Sequence, residues 1–111
     1  MITWNNNFIK KVHSKAIFLD RDGTINVEKH YLYRVEDFEF ERNVVAGLQE
    51  LSKKFSLIIV TNQTGIYKNL YSVDEFNTLQ MHLMNKLTRC GVEILGYAAC
   101  PHGYECKSCR K

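Results

Sequence analysis

The stretch Lys15-Ala16-Ile17-Phe18-Leu19-Asp20-Arg21-Asp22-Gly23-Thr24 constrains this chain more than any other: an apolar run that stops at two carboxylates separated by one residue. Residues 16–19 are apolar without alternation, the pattern of a strand covered on both faces, as in a parallel sheet flanked by helices. Asp20 then stands at the carboxyl end of that strand, where open α/β sheets bind their ligands. Gly23 lets the chain turn tightly, so Asp20 and Asp22 can face one site rather than opposite faces of the sheet. Two carboxylates so placed can hold a hard cation such as Mg²⁺, and one can attack phosphorus while the other moves protons. An acidic surface turn is the plainer reading of Asp-x-Asp by itself. The apolar strand before it and the Gly-Thr after it set this one apart.

The rest of the chain is organised to support such a strand, and its 111 residues suffice for one domain with a real core. Residues 1–14 carry scattered apolar side chains and read as an amino-terminal arm ahead of a domain over 15–111. Residues 25–41 are rich in charge and aromatics (His30, Tyr31, Tyr33, Phe38, Phe40) without a steady period, which predicts a flap over the site whose aromatics pack. Asn43 is placed to cap a helix presenting Val44, Leu48, Leu51 and Phe55. Leu57-Ile58-Ile59-Val60 predicts a second buried strand, ending in Thr61-Asn62-Gln63-Thr64-Gly65. Ser72-Val73-Asp74-Glu75 is a capping box, with Tyr71 and Phe76 as its hydrophobic staple. Phe76, Leu79, Leu83, Leu87 and Cys90 mark the buried face of the helix that follows, with Cys90 as a small core residue, Met81 and Met84 packing, and Gly91 at the close. Residues 92–99 read as a third strand with Gly96 as its weak point.

Strand, helix, strand, helix, strand implies a Rossmann-like parallel sheet with helices on both faces and right-handed crossovers. The end of the second strand then lies beside Asp20. Thr61 brings a hydroxyl and neighbouring backbone amides to that pocket, donors suited to phosphoryl oxygens. A threonine after a strand is commonplace, so its weight comes from its position.

Composition narrows the partners. A net charge of +3 with no long basic run suits anionic small molecules and argues against nucleic acid. Lys10, Lys11, His13 and Lys15 read as a solvated face. No apolar segment approaches the ~20 residues that span a bilayer, and residues 1–7 are polar where a signal peptide has its apolar centre, so a cytoplasmic protein is expected. Three of the four cysteines fall in the last twelve residues. In a reducing compartment that favours metal over disulfides. Cys100, His102, Cys106 and Cys109 complete a tetrahedral structural zinc site over residues 100–109, the alternative being unligated thiols in an unstructured tail. Zinc there would also fix Arg110 and Lys111, whose cations could reach a phosphate.

The run Ile17-Phe18-Leu19-Asp20-Arg21-Asp22-Gly23-Thr24-Ile25 resembles the first motif of the haloacid dehalogenase superfamily of phosphatases. With Val60-Thr61-Asn62-Gln63-Thr64-Gly65-Ile66, Leu70-Tyr71, and the Cys-x-His followed by two cysteines, Arg110 and Lys111, the chain is similar to the D-glycero-D-manno-heptose 1,7-bisphosphate phosphatases and the related histidinol-phosphate phosphatases. The resemblance implies Asp20 as the nucleophile that forms an aspartyl-phosphate and Asp22 as acid and base. It implies Thr61, with Asn62 and Gln63, as the phosphate-binding segment, and Arg110 or Lys111 as the basic third motif. Mg²⁺ would be held by the Asp20 carboxylate and the Asp22 backbone carbonyl, and zinc by the four carboxyl-terminal ligands.

Three departures accompany the likeness. Lys68-Asn69 stands where the family usually has Arg-Gly, Cys106 and Cys109 are two residues apart instead of one, and the chain stops at Lys111, before the family's later acidic Mg²⁺ ligands. The reading is a Mg²⁺-dependent sugar-phosphate phosphatase, apparently truncated, with an open site and no separate cap domain. Its substrate is the C7 phosphate of the heptose bisphosphate used for the lipopolysaccharide core, with histidinol phosphate as the alternative ester. A non-catalytic zinc-stabilised phosphate-binding or interaction module is the alternative of another class, and self-association through an uncovered sheet edge is expected.

Overall fold

The computed structural model describes residues 1–4 and 12–109. Four strands, β1 (Ile2–Trp4), β2 (Ala16–Asp20), β3 (Ser56–Asn62) and β4 (Ile94–Cys100), form one sheet in the order β1-β4-β3-β2. β2, β3 and β4 are parallel, with Asp20 beside Val60 and Thr61 beside Ala99, and β1 runs antiparallel along β4. Helix α1 (Val44–Ser52) joins β2 to β3, and α2 (Thr64–Tyr67) and α3 (Val73–Arg89) join β3 to β4. The polar ends of β2 and β3 therefore lie side by side at one rim of the sheet.

Helices on both faces are not what the described residues show. Stepping from β2 to β3 to β4 in one direction with right-handed crossovers puts α1 and α3 on the same side. Leu48 of α1 and Phe76, Leu83 and Leu87 of α3 accordingly cluster with Leu57, Ile59, Ile94 and Tyr97, which share one face of the sheet. The opposite face carries Phe18, 65% exposed. Nor is β2 buried on both sides: it is the outer strand of the sheet, with only Ile17 and Leu19 packed against the core.

Local signals explain most of the remainder. The Ser72 hydroxyl accepts from the Glu75 N–H at 3.0 Å while the Glu75 carboxylate accepts from the Ser72 N–H at 2.9 Å, completing the capping box of α3. At the other end the Val92 N–H reaches the Leu87 carbonyl at 2.9 Å and the Gly91 N–H reaches Thr88 at 3.0 Å, the paired closure of a Schellman motif. Cys90 at that cap is exposed, not a core residue, because the chain leaves the helix there. Asn43 does not cap α1 with its side chain; it adopts a left-handed backbone at φ 65°, and the Val44 N–H bonds the Glu41 carbonyl instead. Residues 2–4, read only as part of an arm, form β1. Gly96 is what admits it, since a Cβ there would stand 2.6 Å from the Thr3 carbonyl oxygen. The apparent weak point of β4 is a place of close backbone approach.

Candidate active site

The turn after β2 is built on one carbonyl. Arg21 O accepts from the N–H groups of Thr24, Ile25 and Asn26 at 3.1, 2.8 and 3.2 Å, and the Gly23 N–H closes onto Asn26 O at 2.7 Å. Three bonds to a single oxygen fold the segment back within a few residues, so the acids separated by Arg21 both stay at the rim. Asp20 Oδ1 accepts from the Arg21 N–H at 3.0 Å. Arg21 itself turns inward, 1% exposed, lies over the Phe76 ring at 5.6 Å, and donates to Gln80 Oε1 at 3.3 Å.

Asp22 is held by three donors. Arg21 Nη2 reaches its two oxygens at 3.0 and 3.2 Å, Asn26 Nδ2 donates to Oδ1 at 3.0 Å, and Gln63 Nε2 donates to Oδ2 at 3.1 Å. A buried guanidinium needs such a counter-ion, and the neutral donors complete the carboxylate's satisfaction. From β3, Thr61 Oγ1 accepts from the same Gln63 Nε2 at 2.8 Å, and the Tyr71 hydroxyl donates to Gln63 Oε1. Burial pushes the Tyr71 phenol up to about 12. Gln63 thereby ties Asp22 to Thr61.

Beside this network lies a cavity of about 240 Å³ whose walls include Asp22, Glu28, Tyr31, Asn62, Gln63 and Tyr104. A larger hollow of about 780 Å³ sits between the 3₁₀ turn at Val35–Asp37 and the start of α3, lined by Glu36, Asp37, Asp74 and Glu75. None of the converging groups at the strand ends opens into it, so the chemistry belongs to the smaller space. The flap closes one wall. Tyr33, Phe38 and Phe40 pack against the core as expected, but Tyr31 lines the cavity, where packing alone had been expected of it. His30 and Tyr31 are both left-handed, at φ 50° and 65°. Lys68 donates to the Tyr31 hydroxyl at 2.6 Å, a bond that raises the lysine pKa, and its ammonium lies 5.9 Å from the Tyr104 ring.

After β4 the chain brings Cys100, His102, Cys106 and Cys109 together, their ligand atoms all within 4.8 Å of one another. His102 Nδ1 is 3.8 Å from Cys100 Sγ, 3.5 Å from Cys106 Sγ and 3.2 Å from Cys109 Sγ, and the last two sulfurs are 3.6 Å apart. A tetrahedral zinc with Zn–S near ~2.3 Å has ligand–ligand edges of roughly 3.8 Å, so three sulfurs and a nitrogen at this spacing fit that ion. Backbone and hydroxyl donors from Cys109 and Ser108 hold the Cys106 thiol down to about 5, which favours the thiolate a metal needs. Sharing with the Cys100 sulfur drives Cys109 the other way, to about 11. Cys90 stands outside the group. At the rim, the Asp20 carboxylate and the main-chain carbonyls of the turn are hard oxygen donors of the kind Mg²⁺ takes.

The structure thus brings Asp20, Asp22, Thr61, Asn62 and Gln63 to one rim and gathers the four metal ligands nearby, while Arg110 and Lys111 lie outside the described residues. Arg21, Asn26 and Tyr71 are the participants that sequence reasoning missed. Arg21 and Tyr71 stood among the residues that carry the family likeness, and that was the available signal.

A family model described as polynucleotide kinase 3 phosphatase matches residues 15–111. A D-glycero-alpha-D-manno-heptose-1,7-bisphosphate 7-phosphatase from Photorhabdus laumondii is 42% identical over 89 residues, covering 79% of this chain and 49% of its own length. A D-glycero-beta-D-manno-heptose-1,7-bisphosphate 7-phosphatase from Haemophilus influenzae is 40% identical over 95 residues, covering 85% of this chain and 52% of its own. The chain spans about half the length of the curated relatives it matches. Among solved structures, a D,D-heptose 1,7-bisphosphate phosphatase from B. bronchiseptica, complexed with magnesium and phosphate, superposes with TM-score 0.79 at 24% identity, over 87% of this chain and 56% of that one. A had-like phosphatase from Mesorhizobium loti gives 0.78 at 25% identity, over 92% and 49%. By the family model that covers it from Lys15 to Lys111, this chain belongs to the polynucleotide kinase 3 phosphatase family of haloacid dehalogenase-like phosphatases.

Proposed function

We propose that the chain is a Mg²⁺-dependent phosphoric monoester hydrolase whose substrate is D-glycero-D-manno-heptose 1,7-bisphosphate, cleaved at its C7 phosphate in the cytoplasm for lipopolysaccharide-core heptose synthesis. The observation that carries the reaction class is the convergence of Asp20 and Asp22 with Thr61 at the carboxyl ends of two paired parallel strands. The substrate class rests on the relatives' activity. Asp20 attacks phosphorus, the ester bond to the sugar oxygen breaks, and Asp22 gives that oxygen its proton. Asp22 then takes a proton from a water that attacks the aspartyl-phosphate, releasing inorganic phosphate and restoring Asp20. Thr61 and the 62–63 segment orient the phosphoryl oxygens, joined by Arg110 or Lys111. The Asp20 carboxylate and the Asp22 backbone carbonyl would hold Mg²⁺, which would supply neutralising charge.

Cys100, His102, Cys106 and Cys109 would hold a structural zinc, which would fix the loop that carries Tyr104 to the cavity. The ligand is a small phosphorylated sugar and not nucleic acid, in keeping with the absence of a long basic run in the sequence. The place of β2 as the outer strand of the sheet among the described residues supports pairing with a second copy. The test is Mg²⁺-dependent phosphate release from the heptose bisphosphate, from histidinol phosphate and from an oligonucleotide bearing a 3′-phosphate. Preference for the heptose ester, lost in Asp20→Asn, is expected. Preference for either other ester overturns the substrate. Release that survives Asp20→Asn overturns the mechanism, and no release from any ester in a folded, zinc-loaded protein favours the non-catalytic module.

A further inference from the structure

We infer that Tyr71 is a positioning residue of the site: its hydroxyl fixes the orientation of the Gln63 carboxamide, so that Gln63 donates to both Asp22 and Thr61 and turns the Thr61 hydroxyl hydrogen toward a phosphoryl oxygen. The inference rests on the proposed function for what Thr61 binds, but the hydrogen-bond polarity stands on its own.

A carboxamide presents a donor end and an acceptor end of nearly the same shape, and its orientation follows from its neighbours. Gln63 is buried at 2% exposure, and its Nε2 has two acceptors in reach, Asp22 Oδ2 at 3.1 Å and Thr61 Oγ1 at 2.8 Å. Its Oε1 meets the Tyr71 hydroxyl. A reversed carboxamide would set Oε1 against the Asp22 carboxylate, two acceptors facing each other, and would draw the Thr61 proton onto itself. In the observed orientation Thr61 Oγ1 already receives a hydrogen, so its own O–H is available to donate outward. Tyr71 is the donor that selects this state. Its phenol stays protonated across the working range because burial pushes it up.

The surroundings are shaped to keep Tyr71 there. The ring stacks on Tyr33 at 5.6 Å and 17° between planes, is 5% exposed, and lies across Gly65. A Cβ at Gly65 would come within 2.1 Å of Tyr71 Cε1 and 2.9 Å of its hydroxyl oxygen. Gly65 is therefore required where it stands, between Gln63 and the tyrosine that orients it. No side chain other than hydrogen lets the phenol cross to the carboxamide.

Tyr71→Phe keeps the ring and its stacking and removes only the donor. In the ligand-free protein, the two Gln63 side-chain amide protons are expected as separate, exchange-protected NMR signals that in Tyr71→Phe move together and exchange faster. Mg²⁺-dependent affinity for inorganic phosphate should fall roughly three- to tenfold, the scale of one aligned donor. In a Gln63→Leu background Tyr71→Phe should add nothing, because the group it orients is gone. Unchanged Gln63 amide signals in Tyr71→Phe overturn the inference, as does a full additional loss in the Gln63→Leu background, which would mark Tyr71 as structural. Phosphate binding absent in the unmutated protein counts against the proposed function alone, because the ligand-free amide signals still decide the role of Tyr71.

Discussion

At the scale of single residues, the site depends on which atoms hold Asp20 and Asp22. Asp20→Asn is expected to abolish phosphate release, since an amide is a poor nucleophile and a poor Mg²⁺ ligand. Asp22→Asn should cost nearly as much, and it also removes the counter-ion of buried Arg21. Removing one partner of a buried ion pair costs ~3–5 kcal/mol, so Asp22→Asn should melt well below the parent protein while Asp20→Asn should not. Circular dichroism melts of the two variants check that contrast. Tyr71 yields a pH dependence. Its folded pKa, about 12, lies above its ordinary value of 10.0, so this residue's contribution is intact below the ordinary value and is lost as pH rises through the folded one. Denaturant melts between those limits should show stability falling in the parent and falling less steeply in Tyr71→Phe. Asp20, Asp22 and Thr61 were legible because they end apolar runs. The roles of Arg21, Asn26 and Tyr71 were not, because donors to Asp22 from within its own turn, and a tyrosine that reaches Asp22 only through Gln63, leave no local period.

Elements differ in how fully their own residues specify them. α3 carries its start, face and stop in sequence, and Ser72→Ala should lower stability by ~1 kcal/mol through the lost cap. Leu83→Ala, at a fully buried position of the same helix, should cost ~2–5 kcal/mol. Urea melts of the pair test whether packing outweighs capping here. α1 and β1 were less legible: Asn43 is a common cap residue used here for its left-handed backbone, and three residues of β1 are too few to show alternation. β1 depends on its partner strand. Gly96→Ala should displace it, and because Trp4 is the only tryptophan and sits opposite Gly96, its fluorescence should shift to the red. An unshifted spectrum would show that β1 tolerates the added carbon. The metal loop is equally specific: one zinc per chain is expected after dialysis, lost in Cys106→Ser and kept in Cys90→Ser, as metal analysis would show.

For the whole molecule, the sheet's lopsided cover is the main consequence that local patterns did not convey. An unbroken apolar strand reads as buried on both faces, but which faces are covered depends on strand order and crossover direction, and here β2 lies at the edge with Phe18 exposed. Such an edge invites pairing, so light scattering should show an average mass rising with concentration, and Phe18→Lys should reduce it. The described residues bring Asp20 and Asp22 to the rim with Glu28 on the cavity wall, few carboxylates with which to hold Mg²⁺ against water. Turnover by the 111-residue chain is accordingly expected below the enzyme median of ~10 per second. A phosphoryl analogue tests the central claim without requiring turnover. Trifluoroberyllate should bind in the presence of Mg²⁺ and give a bound fluorine NMR signal that disappears in Asp20→Asn. A signal of equal strength in Asp20→Asn, or none in the parent protein with saturating Mg²⁺, would contradict the assignment of Asp20 as the nucleophile.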